Sequence, residues 1–133
     1  MMNPGGFETG VNATLMRRLI SVLWVVSIGV VCYLSLKPRI EFPLDFKGAD
    51  LAYHALAYLW LSLLPFFVFW DRKRGLVCAL LMIPLGIALE FGQTFVPGRN
   101  FSVFDIIANS VGTILGVMCG KYGRSAIGNI TAE

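Results

Sequence analysis

The chain has 133 residues, of which 56% are hydrophobic and only 14% charged, and its mean hydropathy is +0.72. Such a composition excludes an ordinary soluble globular protein, and the length limits the chain to one domain. The net charge of +3 is spread along the chain, without the clustered basic stripe that a nucleic-acid partner requires.

Residues 1–16 are polar, contain glycine and lack a clear period, so they are expected to form a flexible cytoplasmic tail. Four apolar runs follow, at 19–36, 51–70, 76–95 and 101–120, each long enough to cross a bilayer core of ~30 Å. The expectation is an all-α integral membrane protein, with four transmembrane helices packed as a compact bundle over residues 17–122 and a short tail at 123–133. Arg17 and Arg18 precede the first run as in a secretory signal, but the run is too long for one and no Ala-x-Ala site follows, so it is read as a retained span.

The charges orient the bundle. With four spans, Arg17, Arg18, Arg72, Lys73, Arg74, Lys121 and Arg124 share one side, against Lys37, Arg39, Lys47 and Arg99 on the other. That seven-to-four excess places both termini in the cytoplasm of a multi-pass protein of the bacterial cytoplasmic membrane. The connection after the first span carries Pro38 and Pro43, which disfavour a regular helix. Phe42, Leu44 and Phe46 alternate there with polar residues, as expected of a segment lying on the outer interface.

In the second span Asp50, His54 and Tyr58 are spaced i, i+4, i+8 and so line one helix face. Asp50 is placed to cap the first turn and meet the positive end of the helix dipole; His54 lies one turn deeper, beyond the reach of capping. Pro65 is expected to kink this span, and Pro84 and Gly86 to bend the third. Glu90 and Gln93 stand near the end of the third span, a Pro97-Gly98-Arg99-Asn100 turn follows, and Asp105 and Asn109 stand near the start of the fourth.

Gly112, Gly116 and Gly120 continue the Asp105–Asn109 face as two overlapping Gly-x-x-x-Gly patterns, which let helix backbones approach closely. The favoured reading is packing within the chain; the other is a homo-oligomer built through that face. Cys32, Cys78 and Cys119 fall in separate spans, which suits small packing residues and neither a disulfide framework nor a metal site.

Counting ~1.5 Å per residue inward from the outer boundary puts His54 at ~5 Å, Asp105 at ~6 Å and Glu90 at ~8 Å. Three spans thus present ionisable groups at one depth of the outer leaflet, with Arg99 in the turn above, and ionisable groups at such positions call for a function. An ionised carboxylate there needs Arg99 or protonated His54 as partner; the alternative is a protonated Glu90 that donates a hydrogen bond.

The motifs Asp50 and His54, then Glu90 and Gln93, then Pro97-Gly98-Arg99, and finally Asp105, Asn109 and Gly112 resemble the VanZ-like family of small membrane proteins, named after an accessory factor in teicoplanin resistance. Order, spacing and topology agree over residues 15–120. The lysine that follows the aspartate in the family pattern is Leu51 here, with Lys47 upstream as a substitute charge. The resemblance implies fold and membrane location, and a link to glycopeptide susceptibility, more than it implies a chemistry.

The leading functional expectation is a site for an anionic lipid head group or a lipid-linked envelope precursor. Arg99 would engage phosphate, and Asp50, His54, Tyr58, Glu90, Gln93, Asp105 and Asn109 would contact the rest of the ligand. The weaker expectation is a membrane-embedded hydrolase or transferase with His54, Glu90 and Asp105 as acid–base groups, since the chain shows no nucleophile elbow. A purely structural polar network that fixes helix register is the third. No metal-ligand spacing of the His-x-x-x-His kind occurs, and neither a metal nor a cofactor is expected.

Overall fold

The computed structural model describes the backbone of residues 4–38 and 48–130 and the side chains of residues 12–38 and 48–126. Six helices occur in these stretches: α1 (Pro4–Leu36), α2 (Ala49–Leu63), α3 (Pro65–Val68), α4 (Arg72–Leu80), α5 (Met82–Gln93) and α6 (Val103–Ile130). They make four apolar spans, at Asn12–Leu36, Ala49–Val68, Arg72–Gln93 and Val103–Ala126, each long enough to cross a membrane. No strand occurs among the described residues.

The tightest pair is α2 against α6, and glycine explains it. A Cβ on Gly112 would stand 2.1 Å from the Ala55 carbonyl oxygen, and one on Gly116 would stand 2.4 Å from that of Leu59. Farther along, a Cβ on Gly120 would meet the Phe66 ring at 2.4 Å. The Gly112–Gly116–Gly120 face of α6 is therefore covered by α2 and α3 of the same chain.

The second span is interrupted at Leu64, directly before Pro65, and the third at Leu81, three residues ahead of Pro84, with Gly86 inside α5. Pro65 lacks the N–H that would bond the Leu61 carbonyl, and Trp24 of α1 supplies a replacement, its Nε1 donating to Leu61 O at 2.9 Å. One consequence is that α1 is anchored at the kink. Trp60 Nε1 adds a bond to Ser27 Oγ at 3.2 Å, and Trp24 meets the Phe69 ring edge-on. No described side chain of α1 is fully buried, and Val22, Val25, Val26 and Val30 stay exposed. In lipid such a face carries no hydrophobic penalty, so an outlying helix held by polar bonds is stable.

Two expectations about helix extent differ from the structure. Helix α1 already begins at Pro4, inside the segment expected to be a tail, and α6 runs on to Ile130, past residue 122. Proline is well suited to a first helical turn, and propagation from an established helix is far cheaper than nucleation. At the other end Arg124 of α6 donates to the carbonyls of Phe66, Phe69 and Trp70 at the end of α3, which gives the extension a tertiary anchor. The expected interfacial segment with Phe42, Leu44 and Phe46, together with Arg39, Pro43 and Lys47, lies outside the described residues.

Candidate functional site

The end of α1, the start of α2, the end of α5 and the start of α6 meet at one end of the bundle. Between α5 and α6 the chain turns at Val96–Arg99, where Arg99 N donates to Val96 O at 3.1 Å. Gly98 has φ 79°, the left-handed value a type II turn requires at its third residue, and Pro97 supplies the restricted φ of the second. This turn sends Arg99 toward α1, where Nε and Nη2 donate to the carbonyls of Lys37 (3.3 Å) and Leu34 (3.2 Å). Arg99 thus clasps the open C-terminal carbonyls of α1. Among the described residues it forms no ion pair with a carboxylate, so of the alternatives left open by the sequence Arg99 is not the direct partner of Glu90 or Asp105. The α1 carbonyls win because they lie on its approach and carry the negative end of a helix dipole.

Helix α6 opens with Ser102, whose Oγ accepts from Asp105 N at 3.2 Å. In a reciprocal capping box the carboxylate three residues on would reach back to the Ser102 N–H. Here that N–H donates instead to Glu90 Oε2 of α5, at 3.2 Å. Glu90 thereby places a carboxyl oxygen at a helix N-terminus, and Asp105 is released from capping duty. Its Oδ2 faces His54 Nε2 across 3.6 Å. The other ring nitrogen, Nδ1, lies 3.0 Å from Asn109 Oδ1. One donor atom from each of His54, Glu90 and Asp105 falls within 4.8 Å of the others, although the three come from different spans.

Burial grades across this cluster. Glu90, Gln93 and Asn109 are only 1%, 2% and 3% exposed, while the His54 and Asp105 side chains keep 19% and 18%, so the imidazole and one carboxylate form the accessible edge. Tyr58 is 1% exposed and its hydroxyl has no hydrogen-bond partner; the same holds for Gln93 Nε2. Gly86 shows where Tyr58 points. A Cβ there would stand 3.1 Å from both Tyr58 Oη and Asn109 Nδ2, so hydroxyl and amide lie side by side against α5, one turn before Glu90.

Of the residues expected at the site, His54, Tyr58, Glu90, Asp105 and Asn109 are gathered here, with Gln93 one turn beyond Glu90 on the same helix. Asp50 is not among them. It is exposed in the first turn of α2 and does not cap it, because the capping position falls on Gly48 (φ 92°), which has no side chain to offer. Ser102 is the residue that motif reading misses, although Ser-x-x-Asp ahead of an apolar run is a recognisable cap.

The family model described as VanZ/LLP1 matches residues 12–124, most of the chain. A search of curated proteins finds similarity to an uncharacterized protein of Schizosaccharomyces pombe, 28% identical over 105 residues, covering 77% of this chain and 62% of the relative. The chain therefore spans less than two thirds of that protein's length. No solved structure matches it significantly.

Proposed function

The chain belongs to the VanZ/LLP1 family, and we propose that it binds the polar head group of an anionic lipid or lipid-linked envelope precursor at the His54–Glu90–Asp105 cluster. One observation carries this reading: an imidazole and two carboxylates from three spans converge near the span ends, and counting residues inward puts them at head-group depth. Helix packing alone asks for none of them, since α2 and α6 are held by backbone contact at Gly112 and Gly116. Asp105 and His54, at the accessible edge, contact the hydroxyl or ammonium groups of the ligand, and Asn109 fixes the ring. Arg99, immobilised on α1, sets positive charge beside the entrance for phosphate. The distribution of basic residues turns this end outward, where retention of a precursor would alter its exposure to glycopeptide antibiotics.

Native mass spectrometry of the full chain released from nanodiscs tests the reading. His54→Gln and Asp105→Asn are expected to lower anionic-lipid adducts about tenfold while leaving the thermal midpoint within a few degrees. Equal adducts in folded variants would overturn it. The 3.6 Å approach of His54 to Asp105 favours, as second reading, acid–base hydrolysis or group transfer on the same lipid. Turnover of a labelled lipid-linked precursor that disappears in Glu90→Gln would replace binding with catalysis. Variants that no longer fold would instead assign the network to helix register.

A further inference from the structure

The cluster gathers three metal-ligating side chains from three spans. His54 Nδ1 lies 3.0 Å from Asn109 Oδ1, which accepts from it in the tautomer protonated at Nδ1 and leaves Nε2 as the ligating nitrogen. Nε2 of the same ring faces the Asp105 carboxylate across 3.6 Å. Glu90 adds a second carboxylate, and Arg99 is committed to the α1 carbonyls. A ring nitrogen and two carboxyl groups set this close in a medium of low polarity are a donor set that one shared cation can join.

We infer that His54 Nε2 and the carboxylates of Glu90 and Asp105 bind one divalent cation of the zinc class. A ring nitrogen with two carboxylate oxygens suits zinc and its transition-metal neighbours better than magnesium or calcium, which take oxygen alone. Zinc bonds of ~2.0–2.1 Å at tetrahedral angles set ligand atoms ~3.4 Å apart. The 3.6 Å separation nearly matches that edge, and all three ligand atoms lie within 4.8 Å of one another.

The surroundings are those of a metal site. Asn109 holds the far ring nitrogen and fixes the tautomer, and the Ser102 N–H orients Glu90. A second observation points to a bound ligand independently. The Tyr58 hydroxyl, 1% exposed and without a partner, lies beside Asn109, the residue that meets the imidazole. The inference rests on the head-group reading only for what fills the fourth position, a phosphate oxygen.

The test uses the full chain in phosphatidylcholine nanodiscs, stripped with chelator and titrated with Zn2+ alone, and with Co2+ as spectroscopic stand-in. One equivalent is expected to bind, and His54→Ala, Asp105→Ala and Asn109→Ala should each weaken it at least tenfold. The Co2+ spectrum should lack the thiolate charge-transfer band that Cys32, Cys78 or Cys119 would give. Absence of stoichiometric binding, a thiolate band, or binding that survives both His54→Ala and Asp105→Ala would overturn the inference. Should the variants fail to fold, nitrogen hyperfine coupling to Cu2+ in the unaltered chain reports the imidazole ligand, and its absence is equally fatal. Zinc bound without any anionic-lipid binding sinks the head-group reading alone; lipid bound by protein that takes up no zinc sinks the cation alone.

Discussion

The two ends of the bundle solve the same problem with the same device and differ in what they build around it. At one end Arg99 clasps carbonyls at and just past the end of α1; at the other Arg124 clasps Phe66 O of α3 and the carbonyls of Phe69 and Trp70 just beyond it. Each guanidinium satisfies backbone acceptors that neither helix nor lipid can satisfy. Around Arg124 the neighbours are those of a membrane anchor. Arg17 stacks on Trp70 at 3.7 Å, and Asp71 caps α4 through Lys73 N with an exposed Arg74 partner. Around Arg99 the neighbours are a buried glutamate, a histidine, an aspartate and two polar groups, Tyr58 Oη and Gln93 Nε2, left without partners. Terminus capping accounts for the first end completely. It accounts for the second only in part, and the remainder is the candidate site.

That contrast can be broken in order of expected effect. Gly112→Ala drives a methyl into the Ala55 carbonyl, backbone that cannot move aside, and should cost more than about 3 kcal/mol and abolish folded protein. Gly120→Ala meets only the Phe66 ring, which can turn, and should cost about 1 kcal/mol; thermal unfolding in detergent separates them. Arg124→Ala removes three carbonyl contacts and Arg99→Ala two, so each should lose about 1–3 kcal/mol, with Arg124→Ala the greater. Only the Arg99 change should also reduce anionic-lipid adducts. If both change lipid binding alike, the ends are not functionally distinct.

Tyr58→Phe sharpens the contrast from inside. Deleting a buried hydroxyl that has no partner should leave stability unchanged or raise it by up to about 1 kcal/mol, while Zn2+ and lipid binding weaken. A marked loss of stability would mean that the hydroxyl serves the fold. The smallest effect is expected for Arg74→Ala, whose partner Asp71 is 4.0 Å away on an exposed turn; stability should shift by less than about 0.5 kcal/mol.

Hydropathy and proline make much of the fold legible in the sequence. The four runs become four spans, and Pro65 breaks the second where its missing N–H demands it. The polar convergence is legible as well, because period and depth alone set His54, Glu90 and Asp105 level. What local pattern does not encode is which group on one helix serves the backbone of another. Trp24 bonding Leu61 O, Arg99 turning to Leu34 and Lys37, and Ser102 giving its N–H to Glu90 are all long-range choices among several donors. The cap at Gly48 likewise displaces Asp50, since a left-handed glycine starts the helix before the carboxylate is reached. The His–Glu–Asp set escapes a motif search for the same reason, its members lying in three spans.

The central claim is that this cluster binds a ligand that the rest of the bundle does not need. Native mass spectrometry comparing the unaltered chain with Asp105→Asn, at equal thermal midpoint, tests it most directly. The account predicts anionic-lipid adducts reduced about tenfold in the variant; identical adduct populations from two equally stable proteins would contradict it.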